Sequence, residues 1–289
     1  MSYRGTVRVH RDQEDRIMAD RPAALVTGCS SGIGKATALA LVDAGFVTWA
    51  TARRPETLAD LQTAGCRTLR LDVTDEDSRN RAVAAVEAEH GHVAVLVNNA
   101  GYAQPGAVEE TSLDSYRTQF EVNVFGLVRM CQLVLPAMRR AGGGTIVNLG
   151  SGAGLVAPPL SSAYAMSKYS LEALSDSLRF EVRRFGIRTV LIEASAVKTS
   201  FTDTLERLVP DHAPHSPYET VTTNVLGFAR READNGIPPE QVARTILRAV
   251  RSRNPRGRYK VGSQSRIAPL ARRALGDRAW DALLARLVN

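Results

Sequence analysis

The chain has 289 residues, 44% of them hydrophobic and 6% aromatic, which is enough to build a sizeable core in a single α/β domain. The three cysteines (Cys29, Cys66 and Cys131) are far apart and lack metal-ligand spacing, which argues against a disulfide framework or a zinc site and indicates a reducing compartment. No apolar run reaches the 18 or so residues of a membrane helix and there is no signal-peptide pattern, so we expect a cytoplasmic protein.

The net charge of +7 is unevenly distributed. Residues 244–289 contain 12 Lys or Arg and 2 Asp or Glu, whereas the rest of the chain is slightly acidic. Residues 266–289 are predicted to form a basic amphipathic helix that docks on the domain or on a partner subunit, with peripheral membrane contact a less favoured alternative. Aromatic residues for base stacking are almost absent there, which argues against nucleic acid.

Residues 1–20 are charged and weakly apolar, which is typical of a flexible N-terminal extension. From Ala23 onward, apolar strands alternate with helical stretches. Strands are predicted at "AALVT", "FVTWAT", "RTLRLDV", "VAVLVNN", "GTIVNLG" and "IRTVLIE". Crossovers of this length predict a doubly wound parallel sheet, that is, a Rossmann-like α/β fold in one domain over residues 21–265.

The stretch "TGCSSGIG" at residues 27–34 has two interpretations. Gly28, Ser30 and Gly32 fit the G-x-S-x-G nucleophile elbow of serine hydrolases. Gly28, Gly32 and Gly34 also form a glycine-rich turn between the first strand and the first helix, where helix amides suit a pyrophosphate. In that interpretation Gly28 allows the tight turn, Gly32 lets the backbone approach the phosphates, and Gly34 allows close helix–strand packing.

The histidines that follow Ser30 in the sequence argue against the hydrolase interpretation. A serine hydrolase requires a downstream acid followed by a histidine. The downstream histidines are His90, His92, His212 and His215. The first two end a charged helix and the other two lie in a Pro-rich loop, so each is expected at the surface. The dinucleotide interpretation is therefore favoured, and Ser30 becomes a phosphate-side hydroxyl.

A second group of residues carries acid–base chemistry. Tyr164 and Lys168 are four residues apart and so share one face of a helix. An unperturbed tyrosine has a pKa of about 10, and a nearby ammonium group moves that pKa towards the working range. Ser151, at the end of a strand, is placed to hydrogen-bond the same substrate oxygen as Tyr164.

These motifs together resemble the short-chain dehydrogenase/reductase family. The resemblance runs from about Ala23 to Val261 and rests on "TGCSSGIG", "LDV", "NNAG", "NVFG", Ser151 and "YAMSK" in this order. It implies a proton relay of Asn123, Ser151, Tyr164 and Lys168. In that relay Tyr164 is the general acid or base, Ser151 orients the carbonyl or hydroxyl, Lys168 lowers the tyrosine pKa and bonds the nicotinamide ribose, and Asn123 holds a connecting water.

The resemblance also implies a set of residues that bind the cofactor. They are Gly28, Ser30, Ser31, Gly32, Ile33, Gly34, Arg53, Arg54, Asp72, Val73, Asn99, Ala100, Gly101, Tyr164, Lys168, Val197 and Thr199. Ser151 and Tyr164 also contact the substrate, and no metal is expected. A helical insertion at about residues 199–235 covers the substrate. The "TARRPETL" loop and the long C-terminal segment look similar to those of family members that act on steroids, retinoids or other lipophilic alcohols.

Charge indicates which nicotinamide cofactor is bound. An NAD-specific site places an acidic residue about 20 residues after the glycine turn, to bind the ribose 2′-hydroxyl. Ala52 stands at that position here, and Arg53 and Arg54 follow it. Guanidinium groups bind a 2′-phosphate, so the sequence predicts NADP (NADPH), with NAD less favoured.

The chain departs from the family pattern after the sixth strand. Ala194 and Ser195 replace the usual Pro-Gly, whereas Val197 and Thr199 keep their places. The turn loses the φ restriction of proline and the freedom of glycine, which leaves its path open. We still expect contacts to the nicotinamide amide.

The sequence therefore predicts an NADP-dependent oxidoreductase that interconverts an alcohol and a carbonyl, on a steroid-, retinoid- or lipid-like substrate. A homo-oligomer, dimer or tetramer, is expected. A non-catalytic NADP-binding sensor or scaffold is the alternative, and a serine hydrolase using Ser30 is less favoured. Intact Ser151, Tyr164 and Lys168 argue against the sensor, which has no need of a tuned phenol.

Overall fold

The computed structural model describes residues 21–209 and 216–288. The predicted extension at residues 1–20 and the loop histidines His212 and His215 lie outside the described residues.

A seven-stranded parallel sheet forms the centre of the domain, in the order β3-β2-β1-β4-β5-β6-β7. Its strands are β1 (Ala23–Val26), β2 (Val47–Ala52), β3 (Arg67–Arg70), β4 (Val95–Asn98), β5 (Gly144–Leu149), β6 (Ile187–Ala194) and β7 (Arg258–Val261). The predicted doubly wound parallel sheet is confirmed. The edge strand β7 was not predicted, because its sequence "RYKV" is mostly polar and half-buried.

Helices cover both faces of this sheet. They are α1 (Gly32–Asp43), α2 (Ala59–Thr63), α3 (Glu76–His90), α4 (Leu113–Phe120), α5 (Gly126–Arg140), α6 (Ser162–Val182), α7 (Phe201–Arg207), α8 (Glu219–Asp234), α9 (Pro239–Arg251) and α10 (Gln264–Val288). Buried side chains of α1, α2 and α9 form one core with the sheet, and those of α3, α5 and α6 form the other. Two cores on opposite faces are what buried parallel strands require.

Helices α4 and α5 are continuous through a π-helical turn at Glu121–Phe125. By length and hydropathy, the stretch Leu113–Arg140 also meets the criteria for a membrane span. Met130, Val134 and Met138 of this stretch are fully buried in the core beneath the sheet, as in a core helix of a globular domain. The single π turn is of interest because such turns are frequent at functional sites.

The strand order reverses between β1 and β4. From β1 the chain first builds outward through β2 and β3, then returns to place β4 on the other side of β1. This reversal opens a crevice beyond the carboxyl ends of the two strands, which is where doubly wound folds bind ligands. The glycine turn follows β1 and "NNAG" begins at the end of β4, so both motifs lie at this crevice.

The C-terminal helix α10 begins at Gln264 and is interrupted at Gly276, whose φ is +68°. It packs against α8, β7 and the short helical turn Gly152–Gly154. Trp280 is buried, whereas Ile267 and Leu270 are exposed. The C-terminal helix thus docks on the domain, which is one of the two interpretations that the sequence favoured.

An ionic cluster joins β6, β7 and α6. Arg258 on β7 donates to Glu172 at 2.9 Å and to Asp176 at 2.6 Å, both on α6. Its Nε is also 3.4 Å from a carboxylate oxygen of Glu193, a residue on β6 that is completely buried. Burial and the neighbouring Glu172 carboxylate raise the pKa of Glu193 to about 7.

We predict that Glu193→Gln changes how stability depends on pH. A carboxyl group whose pKa is higher in the folded than in the unfolded protein stabilises the fold below about pH 4.5, and that contribution is lost as the pH rises through about 7. The free energy of unfolding of the variant, measured with urea, should therefore increase relative to that of the native chain as the pH rises between these two values, by up to about 3 kcal/mol. Glu181→Gln, at an exposed position of α6, is the control; equal pH profiles for both variants would contradict the prediction.

Close packing of α1 on the glycine turn requires the absence of a side chain at Gly34. A Cβ there would overlap the carbonyl oxygen of Gly28 and lie 2.5 Å from Asn99 Nδ2. By contrast, a Cβ on Gly227 in α8 would come no closer than 3.5 Å to a flexible arginine terminus.

We expect Gly34→Ala to lower the free energy of unfolding by about 1–3 kcal/mol, because the Gly28 backbone and the Asn99 side chain must both move. Gly227→Ala is the matched helical control, and it should be neutral or stabilising by up to about 1 kcal/mol. Chemical denaturation of the two variants measures both values. Equal stability of the variants would show that the turn is not held as closely as described.

Candidate active site

The predicted site residues all lie at the carboxyl edge of the sheet. Parallel strands end at one edge, so the segments that follow β1 to β6 meet there. Residues 28–34 follow β1, Arg53 and Arg54 follow β2, Asp72 and Val73 follow β3, residues 99–101 follow β4, Ser151 follows β5, and Val197 and Thr199 follow β6. Asn123 lies in the π turn, and Tyr164 and Lys168 lie on α6.

The glycine turn forms an anion cradle at the start of α1. Gly28 and Gly32 have φ values of +72° and +56°, which side chains rarely adopt. Ser31 precedes the helix without capping it; its hydroxyl lies 3.2 Å from the Ser200 hydroxyl instead. Ile33 is half-buried and packs on the core beside α1. The helix thus presents its first-turn amides at the crevice, a geometry that fits a dinucleotide pyrophosphate.

Asn99 fastens this turn to the end of β4. Its Nδ2 donates to the carbonyl oxygens of Thr27 at 2.9 Å and Gly28 at 3.0 Å. The Thr27 hydroxyl in turn accepts from the backbone amides of Asn99 at 3.0 Å and Ala100 at 2.9 Å. The Asn99 side chain, predicted to bind the cofactor, therefore contacts the glycine turn itself and fixes its shape.

Ser30 is exposed on the turn, and the two described histidines are remote from it in the fold. Helix α3 runs antiparallel to the strands, so His90 at its end lies at the amino edge of the sheet, and His92 just precedes β4. His90 packs against the Trp49 ring, with centroids 6.3 Å apart. Neither His90 nor His92 is in a position to activate Ser30, which sits at the opposite edge.

Asn123 is almost completely buried and uses its side-chain amide to connect three elements. Its Oδ1 accepts from Tyr102 N at 3.1 Å, and its Nδ2 donates to Tyr102 O at 3.0 Å and Ser167 Oγ at 3.0 Å. The π turn brings Asn123 to the loop after β4 and to α6 at once. A Cβ on Gly101 would lie 3.1 Å from Asn123 Oδ1, so the glycine of "NNAG" permits this approach.

Tyr164 and Ser151 face each other across the crevice. Ser151 Oγ accepts from Ala153 N at 3.1 Å, and the Ser151 hydroxyl interacts with the Tyr164 hydroxyl. Burial raises the pKa of Tyr164, and the hydrogen bond with Ser151 partly offsets that rise. The net shift is thus opposite in direction to the lowering that the sequence suggested, and Lys168 is not among its causes.

Lys168 is buried one helical turn from Tyr164. Its Nζ donates to the carbonyl oxygen of Leu149 at 2.8 Å and lies 5.7 Å from the centroid of the Tyr164 ring. Burial lowers the pKa of Lys168 to about 8. The ammonium form still dominates at neutral pH, so a positive charge is held close beneath the tyrosine ring.

The other end of the crevice carries Asp72 and the arginine pair. Burial raises the pKa of Asp72, but hydrogen bonds from the backbone amide and hydroxyl of Thr74, together with the charge of Arg53, bring it below its usual value. Arg53 and Arg54 are both exposed at the end of β2. Val73 offers its carbonyl oxygen to Arg79 and packs against Gly126 of α5.

The segment after β6 shows what Ala194 and Ser195 do in place of Pro-Gly. Ala194 is the last residue of β6, and Ser195 N donates to Val261 O at 2.8 Å, which continues the pairing with β7. Ser195 Oγ accepts from Ser265 N at 2.9 Å and so caps the start of α10. The path of the turn is thereby fixed by a side chain that glycine does not have.

Val197 and Thr199 lie directly after this turn. Val197 pairs with Ile237, and Lys198 N donates to Ile237 O at 2.9 Å. Thr199 is so close to the glycine turn that a Cβ on Gly32 would lie 2.8 Å from its Cγ2. Thr199 therefore lies beside the glycine turn, whereas Val197 packs on the core next to Ile237.

Helices α7 and α8 form the predicted insertion over the crevice. Phe201 stacks near Tyr164, with ring centroids 5.8 Å apart. Arg230 on α8 donates to Glu206 at 2.9 Å and Asp203 at 2.8 Å, both on α7. Gln104 Nε2 donates to Leu208 O at 2.8 Å, which ties the end of α7 to the loop after β4.

Several residues with evident roles here were not predicted. Tyr102, Ser167 and Ser265 contact predicted residues, and Tyr218 donates to Glu109 at 2.6 Å to hold the start of α8 on the loop after β4. Their partners are distant in the sequence, so no local pattern signals them. Within residues 21–209 and 216–288, no group of three His, Cys, Asp or Glu side chains is arranged to hold a metal ion.

Similar proteins are oxidoreductases by name. The sequence is 35% identical to the uncharacterized oxidoreductase YusZ of Bacillus subtilis over 92% of this chain and 98% of that protein. It is 35% identical to a 3-ketodihydrosphingosine reductase of Bacteroides thetaiotaomicron, covering 82% of this chain and 87% of that protein. It is 36% identical to human 17-beta-hydroxysteroid dehydrogenase type 1, covering 89% of this chain and 82% of that protein.

Solved structures share the fold over almost the whole chain. A short-chain dehydrogenase from Streptomyces avermitilis has a TM-score of 0.76 and 34% identity, covering 93% of this chain and 95% of that one. A short-chain dehydrogenase/reductase from Burkholderia phymatum, in complex with NAD, has a TM-score of 0.76 and 26% identity, covering 93% and 96%. A serine dehydrogenase complexed with NADP⁺ has a TM-score of 0.72 and 26% identity, covering 83% and 94%.

The family profile described as short chain dehydrogenase matches residues 22–208, which include the glycine turn, Asn123, Ser151, Tyr164 and Lys168. Together with the parallel sheet, the crevice at its carboxyl edge and the relatives above, this match shows that the chain belongs to the short-chain dehydrogenase/reductase family of oxidoreductases.

Proposed function

We propose that this protein is an NADP-dependent oxidoreductase that interconverts a carbonyl and an alcohol, with Tyr164 as the general acid or base. The observation that carries the proposal is the arrangement around the Tyr164 hydroxyl. The Ser151 hydroxyl interacts with it, and the ammonium of the buried Lys168 lies 5.7 Å from the ring centroid. These residues and the glycine turn lie at the same carboxyl edge of the sheet, so acid–base chemistry and dinucleotide binding would share one space.

The residues of the crevice fit a nicotinamide dinucleotide. Gly28, Gly32 and the amides of α1 would hold the pyrophosphate, and Val197 and Thr199 would contact the nicotinamide amide. When bound, the nicotinamide supplies or accepts the hydride at the substrate carbon. The neighbours solved with NAD and with NADP⁺ support a cofactor of this class.

Tyr164 and Ser151 would handle the substrate oxygen. In reduction, the Tyr164 hydroxyl gives its proton to the carbonyl oxygen, and in oxidation the phenolate removes the proton from the alcohol. The Ser151 hydroxyl donates to the same oxygen and stabilises the charge that develops on it. Because burial alone raises the pKa of Tyr164, the phenolate depends on the nearby Lys168 ammonium for its stability.

Asn123 would complete the relay from the side of the π turn. Its amide is held by Tyr102 and Ser167, so its position relative to α6 is fixed. The Lys168 Nζ bond to Leu149 O likewise sets the ammonium at one place. A relay built from such immobilised groups needs little reorganisation during proton transfer.

The decisive experiment is Tyr164→Phe. We expect kcat for carbonyl reduction to fall by about 10²–10⁴-fold, because the general acid is lost. NADPH binding, measured by fluorescence titration, should stay within about twofold, since the ring and its packing remain. Tyr169→Phe, on an exposed neighbour of the same helix, is the control and should keep full activity.

Two other outcomes have defined meanings. Full activity in Tyr164→Phe would contradict the proposed mechanism. Tight NADPH binding without turnover of any compound in a panel of steroid, retinoid and long-chain ketones would favour the sensor over the enzyme.

The preference for NADP rests on charge at the adenosine end of the crevice. Arg53 and Arg54 are exposed after β2, and the charge of Arg53 acts on Asp72 across the crevice. Ala52, where NAD-specific sites carry an acid, is buried at the end of the strand. A 2′-phosphate would thus meet two guanidinium groups and no carboxylate from β2.

Removing both guanidinium groups tests this preference. We expect Arg53→Ala/Arg54→Ala to lower kcat/KM for NADPH by about 10–100-fold, while the value for NADH changes by less than about twofold. Arg70→Ala, which removes an exposed arginine at the end of β3, is the control. Equal kcat/KM values for NADPH and NADH in the native chain would refute the proposed preference.

A lipophilic substrate is the remaining part of the proposal. The relatives named for a hydroxysteroid and for 3-ketodihydrosphingosine support it. In this chain, the insertion has an apolar side. Phe201 lies beside Tyr164, and three further apolar side chains are half-buried: Leu205 on α7, Leu208 just after α7, and Phe228 on α8. Such residues would bind the hydrocarbon part of a substrate whose carbonyl reaches Tyr164.

A further inference from the structure

A basic cleft lies between α9, β7 and the start of α10. Its volume is about 920 Å³, and none of the predicted site residues lines it. Six cationic residues line it, and no Asp or Glu does. They are Arg244, Arg248, Arg256, Arg258, Lys260 and Arg266.

Three of these cations already have partners. Arg258 is paired with Glu172 and Asp176, and Lys260 lies 3.9 Å from Glu193. Arg266 donates to the carbonyl oxygen of Lys260 at 3.2 Å. The contacts of Arg258 and Lys260 connect the β7 side of the cleft to β6 and α6.

The other three cations are not paired. Over residues 21–209 and 216–288, Arg244, Arg248 and Arg256 form no salt bridge. Arg248 lies in the last turn of α9, where a cation is stabilised by the helix dipole. That dipole does not account for Arg244, one turn earlier, or for Arg256, which lies beyond the helix.

Clustered guanidinium groups repel one another unless an anion lies between them. A concave surface lined by one sign of charge concentrates ions of the opposite sign. Guanidinium groups bind phosphate oxygens through two parallel hydrogen bonds, a geometry that an ammonium lacks. Neutral donors in the same lining, Gln241, Ser252 and Asn254, add hydrogen bonds to such an anion.

We propose that this cleft is a binding site for a phosphate ester that carries two or more negative charges. Arg244 and Arg248 on one wall and Arg256 on the other hold it. The site is separate from the active-site crevice, and it is independent of the function proposed above. Phosphate groups of this kind occur in soluble phosphorylated compounds and in the headgroups of acidic phospholipids.

Calorimetry with inorganic pyrophosphate tests the site directly. The native chain should bind it, and Arg244→Gln/Arg248→Gln/Arg256→Gln should bind at least about tenfold more weakly, since three charge-assisted contacts are lost. The matched control, Arg81→Gln/Arg140→Gln/Arg183→Gln, removes the same charge from exposed sites on α3, α5 and the turn after α6, and should bind within about twofold of the native chain. If pyrophosphate bound at the glycine turn instead, its affinity would be the same for both triple variants.

Sedimentation with vesicles distinguishes the two sources of the phosphate group. Binding to phosphatidylcholine vesicles that contain phosphatidylglycerol, lost in the cleft variant and kept in the control, would identify a headgroup site. Pyrophosphate binding with the same variant pattern, without vesicle binding, would identify a soluble ligand. If neither probe binds, or if the cleft and control variants behave alike, the proposal is overturned. The single variant Arg248→Glu gives the same comparison if the triple variant is poorly folded.

Discussion

The close approach of the first and fourth strand ends is the constraint on which this structure depends. Asn99 bonds the carbonyl oxygens of Thr27 and Gly28, and Gly34 carries no side chain that would push α1 away. Because β1 and β4 are where the strand order reverses, this contact fixes the width of the crevice. Most other groups of the site directly follow a strand of the same sheet, whereas the π turn and α6 carry Asn123, Tyr164 and Lys168.

Burial decides the electrostatics of the site. Lys168 and Tyr164 both lie where desolvation disfavours their charged forms, so the pKa of the lysine falls and that of the tyrosine rises. The two shifts move the proton affinities of these groups apart: the lysine gives up its proton more easily, and the tyrosine holds its proton more tightly. A second buried group, Glu193, lies 3.4 Å from Arg258 at the junction of β6 and β7, and its raised pKa bears on the pH dependence of stability.

The C-terminal helix is part of the active-site framework. Its first turn is capped by Ser195, and Ser265 lies against Gly152 beside Ser151. The same helix packs on α8 of the insertion. The residues before it, in α9 and β7, form the basic cleft, so the strongly charged end of the chain both supports the crevice and presents a separate surface.

Apolar periodicity and short motifs are local signals, and they were enough to predict the fold class and strands β1 to β6. "TGCSSGIG", "NNAG" and "YAMSK" were sufficient to place Gly28, Asn99 and Tyr164 at one sheet edge, once the strands were known to be parallel. Features that depend on partners distant in the sequence are visible only in the folded protein. The structure showed that Asn99 holds the glycine turn, that Ser195 caps α10, and that desolvation raises the pKa of Tyr164. Burial and long-range hydrogen bonds arise from packing, and no local pattern of residues encodes them.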